Sequence, residues 1–200
     1  MKFFSKNETL VVGAILVLIV GVTLSNLKIA NRRSRDTQRR SDVRSIASAL
    51  EKYNSEFGFV PPDVDGEILA CKGEKFDEFM VTKDTSQIES FFDLLIGCQW
   101  GEDGLVDLTG DSQPYLKSIP SDPSPEVSQY LYLSNSKRFQ IFSYLEGGEK
   151  AEQYDKSVQD RKLNCGTKIC NFGIGFSDTP VDITISEYEL RLQEIDNEKN

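Results

Sequence analysis

Leu10-Val11-Val12-Gly13-Ala14-Ile15-Leu16-Val17-Leu18-Ile19-Val20-Gly21-Val22-Thr23-Leu24 runs, without an intervening proline, into a basic stretch that begins at Lys28 and ends at Arg44. Extended through Ser25, Asn26 and Leu27, the apolar segment forms a helix about 27 Å long at about 1.5 Å per residue, close to a hydrocarbon core of about 30 Å. A buried helix of a soluble core would have to be apolar on every face. A cleavable secretory signal would use Lys2 and Lys6 as its basic head, yet residues 25–30 and the arginines after them offer no good cleavage site. The reading is a single transmembrane helix over residues 9–30, preceded by residues 1–8 as a short leader or cytoplasmic segment.

Past the arginines the chain turns amphipathic. Val43, Ile46, Ala47, Leu50, Tyr53 and Phe57 recur at helical spacing and form one apolar stripe. Gly58 and then Pro61-Pro62 end the pattern. Residues 31–57 therefore read as a stalk helix continuous with the anchor, far longer together than an ordinary globular helix.

Charge is divided unevenly. The first 44 residues hold nine basic and three acidic residues, a balance of +6, whereas residues 45–200 hold 14 against 29, a balance of −15. So acidic a domain is repelled by nucleic acid and by anionic headgroups, and no direct nucleic-acid partner is expected. Counted naively, the arginines keep the C-terminal domain in the cytoplasm. The cysteines oppose this. Cys71, Cys98, Cys165 and Cys170 all fall in the domain, and although four cysteines allow three connectivities, the simplest is Cys71 with Cys98 and Cys165 with Cys170. A zinc site is disfavoured by the wide spacing of the first pair.

Residues 58–183 read as an α+β domain. Residues 90–96 suggest a short helix, and residues 76–80 either helix or strand. Tyr130-Leu131-Tyr132-Leu133-Ser134 and Phe139-Gln140-Ile141-Phe142-Ser143-Tyr144-Leu145 flank a polar turn and predict a β-hairpin. Residues 184–200 form a charged tail, expected as a frayed helix or disordered.

The order of these parts resembles the type IV pilin-like proteins, particularly the major pseudopilins of type II secretion. The resemblance is carried by Arg35-Asp36-Thr37-Gln38-Arg39-Arg40-Ser41-Asp42-Val43 entering the amphipathic helix and by Ala49-Leu50-Glu51-Lys52-Tyr53-Asn54 with Gly58-Phe59-Val60-Pro61 closing it. Tyr115-Leu116-Lys117-Ser118-Ile119-Pro120-Ser121-Asp122-Pro123, leading into the hairpin, completes it. The resemblance implies a long N-terminal helix packed on a small antiparallel sheet, in a single-pass subunit inserted with its N-terminus inside and its domain outside. It also implies polymerisation with sister subunits by a membrane assembly machinery, after cleavage by a prepilin peptidase. Glu8 stands where the family places a glutamate five residues after the cut, which makes Phe4 the new N-terminus. The chain departs at Phe3, where the family has glycine or alanine, and at the polar Ser5-Lys6-Asn7. A carboxylate at the lip of an apolar helix seeks a neighbour's amino terminus in a filament, or else serves as a first-turn acid behind an Asn7 cap.

Arg32, Arg33, Arg35, Arg39 and Arg40 are expected on lipid headgroups or on the acidic face of a neighbouring subunit. Asp103, Asp107, Asp111 and Asp122 are candidate calcium ligands on the resemblance, but no contiguous oxygen-rich template is present and a solvated acidic loop is the preferred reading. The chain has no histidine, which removes Ser-His-Asp, Cys-His and His-ligated metal chemistry. No catalytic residue and no cofactor are expected. Two further classes stay open: a solitary membrane-anchored binding or scaffold protein, and a cytoplasmic adaptor with free thiols.

Overall fold

The computed structural model describes residues 6–74, 76, 91–106 and 114–198. One helix, Lys6–Phe57, carries both the apolar span and the stalk without a break; its 52 residues extend about 78 Å at the standard rise. Continuity follows from composition, since the junction contains neither proline nor glycine. The helix stops where expected. Gly58 adopts φ +77°, the left-handed conformation that costs a glycine no Cβ clash, and its N–H closes on the carbonyl of Asn54 at 2.8 Å.

The domain wraps the C-terminal half of this helix with two small antiparallel sheets. In the first, β1 (Asp63–Val64), β2 (Glu67–Lys72) and β3 (Leu95–Gly97) pair in that order. Of the short helix expected over residues 90–96, the structure shows one 3-10 turn, Phe91–Leu94; from Leu95 the chain instead continues as β3, which pairs with β2 through Leu69↔Gly97 and Cys71↔Ile96. Long-range pairing has outweighed the local helical pattern. Residues 77–80 of the ambiguous helix-or-strand segment lie outside the described residues.

The second sheet contains the expected hairpin. β4 (Leu131–Ser134) and β5 (Phe139–Ser143) pair with Leu131↔Phe142 and Ser134↔Phe139 opposite one another. Asn135 sets the turn: its side-chain oxygen accepts from the N–H groups of Lys137 and Arg138 at 3.1 and 2.9 Å. On the far side of β5 lies β8 (Phe172–Gly175), which makes β5 a central strand with every residue buried. Between them the chain forms the short helix Lys156–Asp160 and a ribbon of β6 (Asn164–Cys165) and β7 (Lys168–Ile169).

One apolar core joins the helix to both sheets. Val43, Ile46 and Leu50 meet Ile68, Tyr132, Phe139, Ile141 and Leu145, all fully buried. A disulfide links Cys71 of β2 to Cys98, just past β3, and a second closes the β6–β7 ribbon between Cys165 and Cys170. Both pairings are the simplest ones expected. The chain is therefore α+β, with a long N-terminal helix and small antiparallel sheets.

The charged tail is a helix, Ile185–Glu198. Thr184 caps it by accepting the N–H of Glu187 at 3.1 Å, and Glu187 pairs with Arg191 one turn on at 2.7 Å.

Candidate functional site: the anchor helix and its ionic joint

From Leu10 to Leu27 the described side chains of the helix find no partner in the domain. Leu10 is 74% exposed, Val17 73% and Leu18 69%, and none of the apolar window is buried. Thr23, the polar residue in the run, turns its hydroxyl back onto the carbonyl of Ile19 at 2.7 Å, so its donor is satisfied without water. This helix is long and apolar enough to cross a membrane. The two disulfides suit an oxidising, extracytoplasmic setting for the domain, and no free cysteine is present among the described residues.

Beyond the span, the arginines divide. Arg39 is only 1% exposed, and its guanidinium is consumed inside the domain. Its Nε and Nη2 grip the two oxygens of Asp122 at 2.8 and 2.9 Å, its Nη1 donates to Glu146 at 2.8 Å and to Asp36 at 3.1 Å, and Nη2 reaches the Ser128 hydroxyl at 3.3 Å. Arg35 clasps Glu146 with two bonds of 2.7 and 2.6 Å. Asp36 accepts the backbone N–H groups of Glu146 and Gly147 at 2.8 and 2.9 Å. The stretch of helix from Arg35 to Arg39 is thus fastened to the loop after β5 and to the segment before β4.

For Arg39 the expectation of a role on headgroups or a neighbouring subunit is corrected by this geometry. Arg39 is buried, Arg35 is committed to Glu146, and Arg40 pairs with Glu152 at 2.6 Å. The buried carboxylates of Asp122 and Asp36 explain the burial of Arg39, because a charge removed from water must find an opposite one within the protein. Arg32 and Arg33 remain without an ion pair among the described residues. Asp122 is likewise no calcium ligand, since Arg39 and the N–H of Ser124 occupy its oxygens. Asp103 accepts the N–H of Gln99, while Asp107 and Asp111 lie outside the described residues. Among the described residues no three carboxylate or thiolate groups converge as metal ligands.

The joint is electrostatically tuned. Hydrogen bonding from Arg35, opposed by burial and reinforced by Arg39, holds the Glu146 carboxyl down at about 2. Burial alone would weaken the Arg39 guanidinium's hold on its proton, but Asp122 and Glu146 outweigh it and the net direction is upward. Next along the helix, burial raises the Asp42 carboxyl although the Tyr130 hydroxyl donates to it at 2.8 Å. The Tyr130 phenol is raised in turn, first by burial and then by that bond.

Glu8 sits in the first turns of the helix, and Phe4 lies outside the described residues. The partners Asp122 and Glu146 were not singled out by sequence as an ionic site; only the three-residue spacing of Asp36 and Arg39 hinted at a pair on one helix face. No family model matches the chain, and no curated protein or solved structure matches it.

Proposed function

We propose that this protein is a structural subunit of a type IV pilus-like or pseudopilus filament, anchored in the membrane and assembled through its N-terminal helix. The observation that carries this reading is one continuous helix whose first half displays apolar side chains exposed among the described residues, while its second half is fastened into a disulfide-bonded α+β domain. Such a half-helix satisfies its surface in lipid as a monomer and against sister helices in a polymer. The domain stands outside the cell membrane, its negative charge carried by residues 45–200 beyond the basic juncture. Its partners are sister subunits, the bilayer, an assembly machinery and a prepilin peptidase acting before Phe4. Its role is mechanical, and it carries out no catalysis.

Glu8→Ala tests the reading. The expected result is normal abundance in the membrane with loss from the sheared, sedimentable filament fraction, because the carboxylate no longer meets a neighbour's amino terminus. An unchanged distribution, or a wild-type chain that never leaves the membrane fraction, would instead identify a solitary anchored scaffold.

A further inference from the structure

We propose that the pocket between the stalk helix and residues 147–152 binds the phosphate of an anionic glycerophospholipid in the leaflet facing the domain. The pocket has a volume of ≈ 390 Å³, and Arg32, Arg33, Arg40 and Lys150 contribute to its lining. Its two carboxylates are already committed. Asp36 accepts from Arg39 and from the N–H groups of Glu146 and Gly147, and Glu152 pairs with Arg40. The positive charge of Arg32, Arg33 and Lys150 is therefore left unbalanced, with no ion pair to any of the three among the described residues.

One donor asks for an acceptor directly. Arg32 Nε is buried and has no hydrogen-bond partner, an arrangement that costs free energy until an anion supplies an oxygen. A phosphate diester does so with charge as well as geometry, and a guanidinium matches it in a fork.

Position selects the lipid over other phosphates. Arg32 lies five residues past Leu27, about 7.5 Å along the helix, within the headgroup layer that flanks the hydrocarbon core. Nucleic acid carries the same phosphate but would meet the −15 balance of residues 45–200. The proposal rests on the membrane-anchor part of the function above and not on polymerisation, so loss of lipid binding and loss of filament incorporation are separate results.

The test uses full-length protein in neutral detergent micelles, titrated with phosphatidylglycerol or phosphatidylcholine and read by native mass spectrometry. Phosphatidylglycerol is expected to be retained in preference to phosphatidylcholine. Removing two juxtamembrane charges with Arg32→Gln and Lys150→Gln should weaken its retention roughly thirty-fold. The charge-matched pair Lys52→Gln and Lys72→Gln, away from the pocket, should leave it unchanged. Arg33→Gln, at an exposed position, gives the same direction should the double variant fail to fold. Equal retention of both lipids, equal weakening by the control pair, or wild-type retention by the pocket variants overturns the proposal. Displacement by inorganic phosphate at the lipid's own concentration overturns it in favour of a free-phosphate site, and lipid-independent dimers that require Arg32 overturn it in favour of a neighbour's carboxylate.

Discussion

Between residues 10 and 27 the long helix leaves Val17 and Leu18 about 70% exposed, whereas between residues 43 and 50 the same helix buries Val43, Ile46 and Leu50 completely. Both segments are rich in aliphatic residues. The first is apolar on all faces and has no companion among the described residues; the second confines its apolar residues to one stripe and has two sheets laid against it. Arg39 sits between them as the boundary mark, the point at which the helix passes from outward-facing contacts to a buried ionic joint. One helix therefore presents two kinds of surface, and mutations in its two halves should report in different assays.

The largest effect is expected at the boundary itself. Arg39→Ala leaves Asp122 buried without its counter-charge and strips Glu146 of one of its two arginines. Breaking a buried pair from one side costs about 3–5 kcal/mol. Urea unfolding of the full chain in detergent, followed by the single Trp100, which packs against Tyr130 with ring centroids 5.9 Å apart, measures it. A loss below about 1 kcal/mol would mean that the joint behaves like a surface ion pair.

Next comes the direct contrast between the halves. Leu50→Ala should destabilise the domain by about 2–5 kcal/mol, since Leu50 is fully buried in the common core. Leu18→Ala in the same assay should leave the domain's unfolding midpoint unmoved, because Leu18 has no partner there. Equal effects would remove the distinction between the two halves.

How much of this was legible follows the same division. The span, the stripe from Val43 to Phe57, the stop at Gly58 and the hairpin around Asn135 are local patterns, written in residues a few positions apart. Strands β1 to β3 and β8 were not. They are two to six residues long, and β8, Phe172-Gly173-Ile174-Gly175, carries two glycines. Its Gly173 is required by a close approach: a Cβ there would come within 2.6 Å of the Phe142 ring, a demand set by a strand thirty residues away. The ionic joint was hidden for the same reason. Arg39 and Glu146 are separated by 107 residues, and among 23 basic and 32 acidic side chains nothing local marks which ones will be buried together. The arginines were legible as a cluster, but which of them the domain's carboxylates would engage depends on the fold.

The smallest effect expected is also the one that separates charge from shape at the joint. Glu146 has its carboxyl held down to about 2 in the folded protein against an ordinary 4.5, chiefly by Arg35, then by Arg39 against the opposing effect of burial. Its ionised form is thus favoured by folding. That stability is fully present above about pH 4.5, where the unfolded chain is ionised too, and is lost as the pH falls from there toward about 2. Because the side chain is 23% exposed and screened by water, the contribution is about 1–2 kcal/mol rather than the full value of the shift. Asp42 acts in the opposite sense: burial raises its carboxyl, so its ionisation costs stability at neutral pH and that cost disappears in acid. Glu146→Gln should therefore be less stable than wild type at pH 7, converge on it near pH 2, and leave the acid response of Asp42 intact. A gap between the two proteins that stays constant from pH 7 to pH 2 would show that Glu146 acts through its shape and hydrogen bonds alone. The coupling of Arg35 to the domain would then be no stronger than that of an uncharged amide.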